Sequence, residues 1–342
     1  MLKKGIIREV HVDHQQHFIS VPNTDITLVI PERAVREGEC KYLYVGVSWE
    51  DADRCSSIDG KRRVSPTVVC GPPGTQFNKP VILSFSHCVL YDKNQPSPLT
   101  ILSRPSTNGT EGEEDKWTEC SDEDIRTVIH GNRCLIFTRH FTKYTCVSRQ
   151  LNGPCECLLL GVMAFHTYIS PGMPIRVRIY IGNANPDEKE RIEFEERRLN
   201  GKLSDATKYV TLHGNADLHV NIKDVRGGYE CRGHDQQTMN IEALSHEICV
   251  SNKSFLLTKC GEDTGSCTYS IYVYQGNSPD GRNHVEMHIA VTNTPTIPAE
   301  EPNRFLPIQE TRQPGCYYYM TSEASAASWE MCIRMTVTQE RT

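Results

Sequence analysis

Apolar residues recur at every second position over much of this chain, and that period constrains its fold more than any other feature. Ile175, Val177, Ile179 and Ile181 alternate with Arg176, Arg178 and Tyr180. The spacing puts four branched side chains on one face of a strand and does not match the 3.6-residue stripe of a helix. Ile26, Leu28 and Ile30 alternate in the same way before Pro31, and Leu43, Val45 and Val47 repeat the pattern after a turn at Glu37 and Gly38. Val68, Val69 and Cys70 lead into the turn Gly71-Pro-Pro-Gly74, after which Val81, Leu83 and Phe85 alternate with Ile82 and Ser84. Runs at Cys134-Leu-Ile-Phe-Thr and Tyr144-Thr-Cys-Val complete the set. Strands joined by Gly and Pro turns predict a mostly β protein of antiparallel sandwiches.

At 342 residues the chain exceeds the size at which one core keeps growing, so two domains are expected. The stretch Gln150-Leu-Asn-Gly-Pro154 is the natural boundary. It divides a first module at 5–149 from a second at 155–292, and a proline-rich tail at 293–342 is expected to be flexible. Within the first module, residues 93–124 are polar, with Pro96, Pro98, Pro105, Gly109 and acidic residues between Glu111 and Asp115 around Trp117. They read mostly as a long loop. The second module is predicted to open with one or two strands over 156–168. It should continue with strands near 175–181, 208–212, 218–222, 253–257, 269–274 and 285–291. One short helix interrupts it: Asn185 as N-cap, Pro186 in the first position, acids in the first turn and a stop near Gly201. Ile192, Leu199 and Leu203 are its expected apolar stripe.

A net charge of -6 supplies no basic field for phosphates, so no nucleic acid partner is expected. The run Lys61, Arg62 and Arg63 reads as solvated loop charge. No stretch approaches the roughly twenty apolar residues of a membrane helix, and the start Met1-Leu-Lys-Lys-Gly has no apolar segment behind it to mark export. The cysteines number 15, an odd count with irregular spacing. Cys70, Cys88, Cys146 and Cys249 fall inside strand-like runs, which suits buried thiols in a reducing cytosol. The rival reading is a disulfide-linked extracellular adhesion protein with glycans at the sequons of Asn108 and Asn252. Cys155 and Cys157 form the tightest cysteine pair but lack a second pair at zinc spacing. His11, His14 and His17 read as solvated loop residues, and the glycines of 71–74 lie between strands and do not lead into a helix. Neither metal nor cofactor is expected.

One local arrangement has chemistry available to it. His140, Phe141 and Thr142 fall where two strands of the first module should meet at a bend. If the Phe141–Thr142 peptide is held distorted, the Thr142 hydroxyl can attack the Phe141 carbonyl to give an ester that water then hydrolyses, with His140 moving protons. The plainer alternative makes Phe141 and Tyr144 core aromatics and Thr142 an ordinary strand residue.

Residues 20–38, from Ser20-Val-Pro-Asn-Thr-Asp through Val35-Arg-Glu-Gly38, followed by Leu43-Tyr-Val-Gly-Val, resemble the opening of a ZU-five domain. Ser65-Pro-Thr-Val-Val-Cys-Gly-Pro-Pro-Gly74 and Lys79-Pro-Val-Ile-Leu-Ser-Phe-Ser-His-Cys88 look like the version found in the uncoordinated-five netrin receptors. The second module is similar to the UPA domain that follows it in the group of netrin receptors, PIDD and ankyrins. The residues that carry this likeness are those of 175–181, the acidic helix after Pro186, and Leu218-His-Val-Asn-Ile-Lys-Asp-Val225. The resemblance implies a first module packed on the second and a non-enzymatic signalling scaffold, cytoplasmic, or the intracellular part of a receptor. It would work through other proteins, death-domain or cytoskeletal ones among them. In the netrin receptors a death domain follows. The 50 residues after 292 are too few for one, so the chain is expected to act on other chains or to be part of a longer one. The resemblance also bears on His140, Phe141 and Thr142, because PIDD cuts itself at a His-Phe-Ser at the matching end of its sandwich. Threonine here keeps the hydroxyl.

Overall fold

The computed structural model describes residues 5–50, 53, 57, 58, 60–91, 97–104, 116–120, 125–148, 157–167, 173–213, 216–240, 250–261, 266–276 and 283–292. The tail at 293–342, the boundary at 150–154, the acids of 111–115, and Cys155, Cys249 and Asn108 lie outside them. Among the described residues, twenty-four strands form four sheets beside one helix, and every pairing is antiparallel.

Two sheets come from the first part of the chain. One runs in the order Gly5–Val12, Lys41–Ser48, Val68–Gly71, Lys143–Ser148, Leu99–Arg104 and Thr118–Glu119, with the short hairpin of Ser57–Ile58 and Lys61–Arg63 set against Lys143–Ser148. The other runs Ile125–His130, Arg133–His140, Gln76–Ser86, Thr27–Ile30 and His17–Ser20. The alternation read from sequence faces inward as expected: Leu28, Ile30, Leu43, Val45, Val47, Val81, Leu83, Phe85, Cys134 and Ile136 are each at most 1% exposed. Each such side chain contributes about 1.5–3 kcal/mol by leaving water. Gly71 closes its strand where the ring of Tyr44 passes. A Cβ there would lie 2.1 Å from Tyr44 Cζ, so a larger residue would displace the ring.

The second pair of sheets follows. Cys157–Thr167 is a single strand between Ile175–Asn183 on one side and both Gly201–Leu203 and Lys208–His213 on the other. Val250–Lys259 and Tyr229–Arg232 extend that sheet. Its companion runs Gln236–Met239, Leu218–Arg226, Ser266–Gln275 and His284–Thr292. Ile175, Val177, Ile179 and Ile181 face the core at no more than 1% exposure. Their strand is buried on its other face too, because the helix Pro186–Arg198 lies there and Ile192 packs on Met163, Phe165 and Tyr180.

Several sequence expectations change. Residues 93–124 hold the six-residue strand Leu99–Arg104, paired with Lys143–Ser148 in the middle of a sheet. The basic run is a strand, and Arg62 and Arg63 are 7% and 5% exposed. His11 and His17 lie in strands and not in a loop: His11 is exposed, as read, and tilted against Tyr42, and His17 bonds Asp13 at 2.9 Å. On the helix only Ile192 belongs to an apolar stripe: Leu199 is 54% exposed, and Leu203 lies in the following strand. Asn185 flanks the helix start without a side-chain capping bond. The left-handed residue at the helix end is Asn200, at φ 53°. Gly201 instead makes room, since a Cβ there would sit 1.8 Å from the Glu196 carboxylate.

The two parts join through backbone. Val89–Leu90, from the first part, pairs with Leu158 and Cys157 at the start of the central strand of the second. Leu159 N donates to the Cys88 carbonyl at 2.8 Å, and one core cluster runs from Val12 to Val291. Residues 1–293 accordingly form one compact unit. Calorimetry is expected to show a single cooperative transition for this unit. Leu158→Ala, at a site 1% exposed on the join, should lower stability by about 2–5 kcal/mol without splitting the transition in two.

Candidate functional site

The corner anticipated at residues 140–142 exists, and Pro80 accounts for it. Proline cannot donate to a ladder, and the pairing of Gln76–Ser86 with Arg133–His140 slips between Val81↔Thr138 and Gln76↔His140. The strand leaves its sheet there, and after Phe141 and Thr142 the chain enters the opposite sheet as Lys143–Ser148. Thr138 clips the bend, its hydroxyl accepting from His140 N at 3.2 Å and donating to the His140 carbonyl at 2.8 Å. The hydroxyl of Tyr144, a fully buried residue, lies 3.3 Å from Thr138 Oγ1. Phe141 is 4% exposed and meets Phe77 edge to face at 5.0 Å.

The three residues are thus together, in a particular arrangement. Thr142 is 4% exposed, and its hydroxyl donates to the Arg104 carbonyl of the neighbouring strand. A backbone carbonyl does not act as a general base. His140 is half-buried and held through its backbone, and none of the three residues has a positive φ. The corner fastens one sheet to the other.

Sequence reasoning missed the charge network beside it. Asp53, 3% exposed, receives Ser48 Oγ at 2.6 Å, Lys143 Nζ at 2.9 Å and the Arg104 guanidinium. Its carbonyl accepts Thr67 Oγ1 at 2.7 Å and the Arg63 guanidinium. Arg104 also lies 5.0 Å over the Trp117 ring. No spacing rule could reveal this, because the partners of Asp53 come from four separate strands and from Thr67.

A second polar cluster lies at the seam between the two parts. The buried Glu196 accepts a two-pronged bond from Arg178 and another from the Tyr180 hydroxyl. Arg191 is pinned by Glu188 and Glu195. Toward the first module, a narrow cleft is lined by Trp49, Arg63, Thr67, Asn183, Asn185 and Asp187, among others. Asn183 Nδ2 donates to the Arg63 carbonyl at 3.3 Å, and Trp49 tilts onto Phe194 at 6.0 Å. Asp187 is 4% exposed. Burial, reinforced by Glu188, pushes its carboxyl up to about 8, although Arg63 pulls the other way. Among the described residues no group of His, Cys, Asp and Glu is arranged to hold a metal ion, and no helix is long and apolar enough to cross a membrane.

Within the first module, residues 9–101 match the ZU5 domain family. The chain is also similar to proteins of the netrin-receptor group. It is 28% identical over 221 residues to the UNC5C-like protein of Mus musculus, covering 64% of this chain and 41% of that one. It is 24% identical over 211 residues to the netrin receptor UNC5D of Rattus norvegicus and of Mus musculus, covering 60% of this chain and 21% of theirs. The chain spans less than half the length of these relatives.

The Asp187 carboxyl carries a pH signature. The folded chain keeps this proton up to about pH 8, whereas the ordinary carboxyl ionises near 3.8, so the folded state binds more protons between those values. Its contribution to stability therefore falls as pH rises from 4 to 8. Asp187→Asn, which fixes the neutral form, is expected to raise stability at pH 8–9 by roughly 1–3 kcal/mol and to flatten the decline between pH 5 and 8, as read by thermal melts across that range.

Proposed function

We propose that this chain is a non-enzymatic intracellular signalling scaffold, the cytoplasmic ZU5 and UPA tandem of a netrin-receptor-like protein, acting through protein contacts. The observation that carries this reading is the join. A ZU5 domain and a second β module share one core and one strand pairing, so a partner meets a single body whose outer faces come from both. The second module is read as a UPA domain because it supplies the acidic helix after Pro186 at the predicted place. The kinds of partner that fit are death-domain and cytoskeletal proteins. The immobilised chain is expected to retain such proteins. A chain that captures none of them and turns over a small molecule would overturn the proposal.

The cytosolic part of the reading is supported by the ten cysteines of the described residues, none of which is in a disulfide. All 15 cysteines are expected to titrate as thiols under denaturing, non-reducing conditions. A lower count would favour the extracellular alternative. The corner is read as structural, because the Thr142 hydroxyl is committed to Arg104. Wild type and Thr142→Ala are both expected to run as one full-length band on a denaturing gel, and two fragments from wild type alone would establish cleavage between Phe141 and Thr142.

A further inference from the structure

Cys157 opens the central strand of the second module and pairs directly with His213 across the ladder. Directly opposed residues share a face, and here the side chains meet: Cys157 Sγ lies 2.8 Å from His213 Nδ1. The imidazole is well placed. The His213 backbone is clamped by the Gln275 amide, which accepts from His213 N at 2.9 Å and donates to its carbonyl at 2.6 Å. Cys157 is partly exposed and His213 exposed. The outer face here also carries Leu90, 46% exposed, which pairs with Cys157 on the other side.

A partly exposed thiol at hydrogen-bond distance from an imidazole is the environment that favours the thiolate. Other thiols of the chain are in the opposite situation. Cys70, Cys88, Cys134 and Cys146 are at most 4% exposed, and burial pushes the thiols of Cys70 and Cys146 up, and that of Cys267 to about 11. Cys40 and Cys260 are exposed without a histidine contact among the described residues, so they serve as internal references.

We propose that Cys157, activated by His213, is the most reactive thiol among the described residues and forms mixed disulfides with small disulfides such as oxidised glutathione. The thiol proton passes to His213 Nδ1, and the thiolate attacks one sulfur of the incoming disulfide. That S–S bond breaks as the Cys157–S bond forms, and the departing thiolate takes the proton from the imidazolium. The disulfide is the only co-reactant. The adduct projects from the outer face of the sheet at the point where the first module's Val89–Leu90 joins the second. It therefore alters the surface at the join without entering the core, and this holds whether or not the scaffold reading is right.

The test uses the full, reduced chain at pH 7 with limiting oxidised glutathione, sites and rates being mapped by peptide mass spectrometry with fragmentation that separates Cys157 from Cys155. Cys157 is expected to be modified about tenfold faster than Cys40 and Cys260 and to reach half its maximal rate at lower pH than they do. In His213→Gln its rate should fall to theirs while the two references stay unchanged. If Cys157 reacts no faster than Cys40 and Cys260 in the wild-type chain, or keeps its rate in a folded His213→Gln variant, the proposal is wrong. The wild-type comparison and pH profile decide the matter even if that variant does not fold.

Discussion

A line of backbone hydrogen bonds ties the first module to the second. Leu159 N donates to the Cys88 carbonyl at 2.8 Å, Cys88 N to the Val64 carbonyl at 2.9 Å, and Val64 N to the Cys146 carbonyl at 2.9 Å. The line starts in the central strand of the second module and ends in the strand that leaves the corner at Thr142. Such bonds strengthen one another in a dry interior, and a broken one leaves a donor and an acceptor unsatisfied there. Leu158 and Leu160 flank the first link at 1% exposure or less, which keeps water from competing. The seam polar groups, the surface around Cys157 and the placement of the helix all presuppose this join.

Buried charge does two different things around that frame. Asp53 and Glu196 are each surrounded by cations and hydroxyls that occupy both carboxylate oxygens. Paired charge of this kind adds little net stability over an apolar filling, but removing one partner costs about 3–5 kcal/mol, so it fixes one arrangement of strands against alternatives. Asp53 sets where Arg104 and Lys143 lie, and Arg104 in turn receives the Thr142 hydroxyl. Asp187 differs. Arg63 attracts it only through space, and burial outweighs that attraction. Burial at the seam therefore favours the protonated form of the Asp187 carboxyl.

What the sequence revealed and concealed follows from the range of each interaction. Period-two alternation is local, so the strands at 26–30, 43–47, 81–85 and 175–181 were legible one residue at a time. Leu99–Arg104 was not, because Pro96, Pro98 and Pro105 bracket it and its apolar residues, Leu99, Ile101 and Leu102, do not alternate cleanly. Arg62 and Arg63 were misread because charge normally marks the surface, and the acceptor that holds Arg63 is the carbonyl of Asp53. The stripe through Leu199 and Leu203 failed for a related reason: the helix is anchored mainly by Glu196 on Arg178 and Tyr180, and a salt bridge between a strand and a helix has no apolar period. The corner residues were found from their order in the chain. The commitment of Thr142 to Arg104, 38 positions away, was not visible there, nor was His213 beside Cys157, 56 positions away.

The extent of the ZU5 match can be set against the physics of the sheet. The match ends at residue 101, inside the strand Leu99–Arg104. That strand reaches the rest of its sheet only through Lys143–Ser148, which stands between it and both Val68–Gly71 and the hairpin strand Lys61–Arg63. The partner sheet likewise needs Arg133–His140 beside Gln76–Ser86. A chain cut at 101 would expose the inward faces of Val81, Leu83 and Phe85 and leave two ladders open, so residues 125–148 belong to the same folding unit as 9–101. Val89–Leu90 lies within the matched region, yet its ladder partner is the second module. The smallest piece that buries its own strands therefore extends from Gly5 to Thr292. Any surface that recognises a partner is held in place by all of it.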